Sequence, residues 1–291
     1  MVSVSAVVRD RKGRFVRDLL QQDFIVAEGG EPKRIVDFHT DSDGPINLVL
    51  LMDMSGSMRV GTKAVDARQT AKHLLSALRP NDRAALFAFD TRLESVSGFT
   101  SDFASLDTAL GRIEPPFGQT SLYDAVAQTA RLVAKESEAP RAANQRPQRG
   151  AVVVLTDGVD TRSRLAPEQV AAISSEIDIP VYIVAVMASI DDPRNQSDPS
   201  EVQAGGLRSL AQWTGGEMFT ASAPAHASLA ARQIVEELRH QYLLAFEASP
   251  LPGWRPLEVR ARGRGLTVRA RAGYTSGDHA GNVALSRIWE R

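Results

Sequence analysis

The seven residues from Ile46 to Met52 are apolar apart from Asn47, and this run constrains the fold more than any other feature of the chain. A strand with apolar side chains pointing both ways cannot leave either face in water, so it demands a covering layer on each side. The next segments can supply those layers. Residues 63–78 place Ala64, Ala67, Ala71, Leu74, Leu75 and Leu78 near a 3.6-residue spacing, which predicts a helix. Arg79-Pro80-Asn81-Asp82 ends it, because proline cannot continue the helical ladder. Strand-length apolar runs at 84–89, 151–155 and 181–187 then alternate with helical patterns at 102–113, 122–135, 168–176, 207–214 and 227–239. Such alternation implies crossover connections, and so an α/β fold with a doubly wound, mostly parallel sheet.

The two ends have a different character. Residues 2–8 alternate, and short strands are predicted at 24–26 and 34–38, divided by Gly29-Gly30-Glu31-Pro32. Strands are again predicted at 241–247, 257–262 and 266–271, the last two joined as a hairpin through Gly263-Arg264-Gly265. The expected organisation is an N-terminal β segment at 1–40, an α/β domain at 45–240, a C-terminal β segment at 241–274 that pairs with 1–40 into a small β module, and a tail at 275–291. The alternative is two unrelated flanking arms. Polar stretches at 40–45, 137–150 and 189–200 read as a linker and two surface loops.

Composition removes several functional classes. Acidic and basic residues nearly cancel, leaving a net charge of -1, so the basic excess expected of a nucleic-acid binder is missing. The chain has no cysteine, which rules out disulfides, thiolate metal sites and cysteine nucleophiles. No apolar run approaches the roughly 20 residues of a membrane-spanning helix. The start, MVSVSAVVRD, lacks the basic and long apolar stretches of a signal peptide. His39, His73, His226, His240 and His279 are scattered and show no zinc spacing. Neither a G-x-S-x-G elbow nor a G-x-x-x-x-G-K-[ST] loop occurs. These absences argue against an enzyme.

The chemistry gathers where strands meet helices. The apolar strand at 46–52 runs into Asp53-Met54-Ser55-Gly56-Ser57-Met58, which sets one carboxylate and two hydroxyls at alternate positions, with Gly56 permitting the bend. Gly118-Gln119-Thr120 precedes a helix that carries Asp124 in its first turn, and Asp157 closes the strand at 151–155. Ligands of open α/β sheets bind at the carboxyl ends of the strands. If these three junctions lie side by side, five oxygen-bearing side chains converge: Asp53, Ser55, Ser57, Thr120 and Asp157. Hard cations such as Mg²⁺ prefer such donors, and Mn²⁺ or Ca²⁺ suits an all-oxygen shell as well. A phosphotransferase of the haloacid dehalogenase type also uses a strand-end Asp in a D-x-D loop, but Ser55 occupies the second position here. Strand-end Ser, Asp and Thr also serve simply as turn formers and helix caps.

The D-x-S-x-S loop, the isolated loop threonine and the strand-end T-D-G resemble the metal-ion-dependent adhesion site of von Willebrand factor A domains. The flanks resemble those of a bacterial, acidobacterial-type group related to that family. Its lead-in matches Val2 to Val16, and its L-R-x-Q-Y segment matches Leu238-Arg239-His240-Gln241-Tyr242, with the stretch ending at Tyr274. The resemblance implies that Ser55 and Ser57 bind the metal directly, that Asp53 and Asp157 act mostly through water, and that Thr120 binds directly in a high-affinity state. A metal held by neutral hydroxyls stays under-neutralised and attracts a carboxylate. The implied function is a non-enzymatic, divalent-metal-dependent adhesion or assembly module that captures Asp or Glu of a partner protein. A structural subunit whose site is filled by its own or a neighbouring chain's carboxylate is the alternative. The resemblance also implies export or a cell-envelope location. Asp124, together with Gly56 and Gly118, is expected to support and orient the five ligands. Asp90, at the end of the strand at 84–89, reads as a turn former or an electrostatic neighbour of the site. The arginines at 255, 260, 262, 264, 269 and 271, set against Glu258 alone, read as a solvated, edge-protecting face or as a contact for an anionic surface.

Overall fold

The computed structural model describes residues 1–40, 44–113, 117–138, 149–176, 178–187, 200–250 and 252–276. The apolar run forms β5 (Ile46–Asp53), and every residue of it is buried. It lies between β6 (Arg83–Phe89) and β8 (Arg149–Thr156), parallel to both. Parallel pairing continues from β8 to β9 (Val181–Val186) and on to β10 (Met218–Ala221). On the other edge β7 (Leu93–Thr100) runs antiparallel to β6. The sheet order is β10-β9-β8-β5-β6-β7.

The alternation within β5 shows why the sheet is covered twice. Ile46, Leu48, Leu50 and Met52 enter one core, with α1 (Lys63–Ala77), α2 (Phe103–Arg112) and α6 (Pro224–Arg239). Val49 and Leu51 enter the other, with α3 (Leu122–Glu138), α4 (Pro167–Glu176) and α5 (Ser200–Trp213). The doubly wound, mostly parallel α/β sheet expected from the pattern is present.

The chain ends build two further sheets. In one the order is β13-β1-β11-β4, formed by β1 (Val2–Arg9), β4 (Ile35–His39), β11 (Gln241–Phe246) and β13 (Thr267–Ala270). In the other it is β14-β12-β2-β3, formed by β2 (Phe24–Glu28), β3 (Glu31–Lys33), β12 (Gly253–Ala261) and β14 (Gly273–Ser276). Val4, Phe24, Tyr242, Phe246, Val259 and Tyr274 share one core, so the two sheets face each other as a sandwich. N- and C-terminal segments pair directly, β1 with β11 and β13, and β2 with β12. In sequence the α/β sheet is therefore inserted between the two segments that build one β module.

Several local expectations are corrected. The hairpin through 263–265 does not form, because β12 and β13 lie in different sheets and the chain crosses between them there. Gly263 and Gly265 carry positive φ at that crossing. Pro32 stands within β3 rather than in the turn, which is tolerable because β3 is an edge strand with one unpaired side. Besides β3, the strands β7, β10 and β14 lie outside the expected ones. β7 mixes Glu, Ser and Gly and stays half-exposed, so its hydrophobic signal is weak, and the other two are four residues long. The predicted loops fall mostly on 139–148 and 188–199, outside the described residues, as does the tail beyond Ser276. Ser200 already belongs to α5, and Thr275 and Ser276 to β14.

The arginine-rich stretch splits into two groups. Arg260 is exposed and paired with Glu258, as a solvated face requires. Arg269 and Arg271 instead turn inward. Arg269 forms ion pairs with Glu217 and Glu237, and Glu237 also pairs with Arg9. Arg271 donates to the Ser3 carbonyl and faces Asp178 at 3.6 Å. These contacts fasten the β module to the end of the α/β sheet where the parallel strands begin.

Candidate metal site

Asp53 ends β5, Thr156 ends β8, and the two strands are neighbours. The chain leaves β5 for β6 on one side and returns to β8 on the other, so the order reverses at β5. That is where an open α/β sheet forms a crevice at its carboxyl edge. The loop bearing Ser55 and Ser57 is stitched to the loop bearing Thr120 by two backbone bonds, Gly56 N–H to the Gly118 carbonyl and Phe117 N–H to the Met54 carbonyl, both 2.8 Å. Both sides of this seam favour glycine. A Cβ on Gly56 would stand 3.2 Å from the Gly118 oxygen, and Gly118 itself has φ +102.

The carboxylate of Asp53 is fully buried. It accepts a 2.9 Å bond from the Ser55 N–H and another from the Thr156 hydroxyl. Burial pushes its pKa up to about 6 despite those bonds, and the nearby Asp157 charge adds to the rise. The Ser55 and Ser57 hydroxyl oxygens are 3.0 Å apart. Thr120 is buried, and its backbone is clamped by the loop after β8: its N–H donates to Thr161 Oγ1, while the N–H groups of Thr161 and Arg162 donate to its carbonyl. Asp157 forms a 3.2 Å ion pair with the buried Lys63, the first residue of α1.

Asp124 faces the loop after β8, the loop that clamps Thr120. Its carboxylate accepts the backbone N–H groups of Arg164 and Leu165, so it braces the loop after β8 and does not spend those bonds on the hydroxyl ligands. Asp90 accepts the Arg92 N–H through its side chain, and its carbonyl accepts the Ser121 N–H. It acts as a turn former beside the Thr120 loop. Sequence reading passed over Lys63, Thr156, Asp160, Thr161 and Ser163. Asp160 accepts from the Leu122 N–H at the start of α3 and from the Ser163 hydroxyl. A signal for Lys63 did exist, since a cation in the first turn of a helix opposes the helix dipole and needs a carboxylate partner.

The donor set fits a hard divalent cation. Octahedral Mg²⁺ with ligands at about 2.0–2.1 Å sets adjacent ligand oxygens about 3 Å apart, which is the spacing of the Ser55 and Ser57 hydroxyls. Among the described residues no three His, Cys, Asp or Glu side chains converge as a metal-binding group, so a cation here depends on hydroxyls as well as carboxylates.

Comparison with known proteins points to the same fold. A family model described as von Willebrand factor type A domain matches residues 48–159, which contain all five candidate ligands. No curated protein matches the chain. Among solved structures, the conserved hypothetical protein BatB from Bacteroides thetaiotaomicron is 17% identical, with a TM-score of 0.51 over 66% of this chain and 98% of that one. A von Willebrand factor type A protein from Catenulispora acidiphila is 14% identical, with a TM-score of 0.53 over 94% of this chain and 74% of that one. Proximal thread matrix protein 1 from the mussel byssus, with a zinc-occupied MIDAS motif, is 16% identical, with a TM-score of 0.52 over 72% of this chain and 49% of that one. The sheet order and the switch-point position of Asp53 agree with the match of residues 48–159 to the von Willebrand factor type A domain.

Proposed function

We propose that this protein is a divalent-metal-dependent protein-binding module, serving adhesion or assembly, in which Asp53, Ser55, Ser57, Thr120 and Asp157 hold the metal. The observation that carries this reading is the pair of hydroxyls at ligand spacing beside a buried carboxylate. Ser55 and Ser57 present neutral oxygens, and Asp53 is already committed to the Ser55 N–H and the Thr156 hydroxyl. A metal so held supplies an under-neutralised positive centre that attracts Asp or Glu of a partner protein. Mg²⁺ is the proposed ion, with Mn²⁺ or Ca²⁺ compatible with the same oxygens. The zinc-occupied motif of the mussel protein supports a divalent ion in this fold. We further propose the unit boundaries 1–40, 45–240 and 241–274, and a place in the cell envelope or outside the cell.

Titration with Mg²⁺ tests the site. At about 100 times the dissociation constant the wild-type chain gains about 2.7 kcal/mol, which raises the melting midpoint by about 5–10 °C. Asp53→Ala shows no such rise. Equal metal affinity and equal midpoints in the two proteins would overturn the metal reading. Pull-downs with and without EDTA test the capture step, and recovery of every partner in EDTA would count against it.

A further inference from the structure

Lys63 sits where a lysine is electrostatically out of place. It opens α1, so its ammonium meets the positive end of the helix dipole. It is also buried, at 7% exposure, and a buried ammonium loses most of its hydration. Both penalties are offset by the ion pair to Asp157, whose side chain is 2% exposed. Asp157 directly follows Thr156, whose hydroxyl donates to the buried Asp53. Lys63, Asp157 and Asp53 therefore form one charge cluster inside the candidate metal site.

We propose that Lys63 is a tethered counter-cation that neutralises Asp157 when the site holds no metal and opposes metal entry. This rests on the metal reading above and adds to it a residue that sets affinity. Without Lys63 the metal-free site would bury two carboxylates with no cation from this position, which destabilises that state. With a divalent ion present, the ammonium would be a like charge beside the same carboxylate in a poorly screened pocket, which would weaken the ion's hold. The site thus stays folded when empty, at the expense of metal affinity. Lys63 acts through Asp157 and is a positioning residue, not a metal ligand.

The test uses the full-length chain as wild type, Lys63→Gln and Lys63→Arg, with Mg²⁺ affinity measured by calorimetry and melting midpoints taken in EDTA and in saturating Mg²⁺. Lys63→Gln is expected to bind Mg²⁺ at least about tenfold more tightly. Its midpoint falls in EDTA and recovers most of the loss in Mg²⁺. Lys63→Arg keeps the charge and stays near wild type in both measurements. If Lys63→Gln binds Mg²⁺ with unchanged or weaker affinity and loses the same stability with and without metal, the lysine is merely structural and the inference fails while the metal site stands. If neither protein binds Mg²⁺ or Mn²⁺, the metal reading fails, and the inference with it. Should Lys63→Gln not fold, Lys63→Met carries the same comparison.

Discussion

At single residues, Gly216 and Glu28 each have a measurable consequence. A Cβ on Gly216 would stand 2.0 Å from the Val181 carbonyl oxygen, where backbone rather than a movable side chain blocks it. Gly216→Ala is expected to destabilise the protein by about 3 kcal/mol, as overpacking does, read from urea unfolding. Glu28 gives a pH signature. Burial alone would raise its pKa, but bonds from Lys33, Ser249 and Tyr274 outweigh burial and hold it at about 2, below the ordinary 4.5. A lowered folded-state value means that the carboxylate's contribution is complete above pH 4.5 and is lost as the pH falls through about 2. Glu28→Gln should therefore flatten the stability profile across that window while lowering stability at pH 7. An unchanged slope between pH 4.5 and 2 would show that the interaction does not matter.

At the scale of elements, α6 is held at its end by charges that no local pattern announces. Glu237 is fully buried between Arg9 of β1 and Arg269 of β13, two strands far apart in the chain. Two residues on, Arg239 pairs with buried Asp82 and donates to the Gly44 carbonyl, and Asp82 also accepts the Ile46 N–H at the head of β5. Tyr242, just after the helix, donates to the Val16 carbonyl and accepts the Leu19 N–H. The L-R-x-Q-Y segment is thus a joint, tying the last helix to the first sheet strand and to the N-terminal lead-in. Removing Glu237 takes the acid from Arg9 while Arg269 keeps Glu217, so Glu237→Ala should cost about 3 kcal/mol. Denaturant unfolding checks this, and a loss below about 1 kcal/mol would contradict the joint.

Considered whole, the candidate metal site and the β module occupy opposite ends of the parallel sheet. Asp53 and Asp157 lie at the carboxyl ends of the strands, while Asp178 and Gly215, which meet Arg271 and Arg269, lie just before β9 and β10. The module therefore closes one end and leaves the ligand-facing end open. Because buried ion pairs cross the junction, the intact chain should melt in a single calorimetric transition. A fragment limited to 45–240 would keep Glu237 without Arg9 or Arg269, and should melt at least about 5 °C lower. Two separate transitions in the intact chain would show that the module and the sheet are independent.

How much of this was legible in the sequence follows from the range of each interaction. The two-faced burial of β5, the alternation of strands with helices and the D-x-S-x-S loop are local patterns, and periodicity or a single tight turn expresses each of them. The five candidate ligands could be named for the same reason, since each sits at a strand or helix end. The assignment of β12 and β13 to different sheets is long-range, and Gly263-Arg264-Gly265 looks the same for a hairpin as for a crossing. The inward turn of Arg269 and Arg271 was hidden as well, because a side chain's partner across some thirty to ninety residues leaves no periodic trace. Lys63 belongs to both classes. Its poor fit to a helix start is written in the sequence, but only tertiary packing, which brings Asp157 to within 3.2 Å across the sheet edge, decides what the lysine is for.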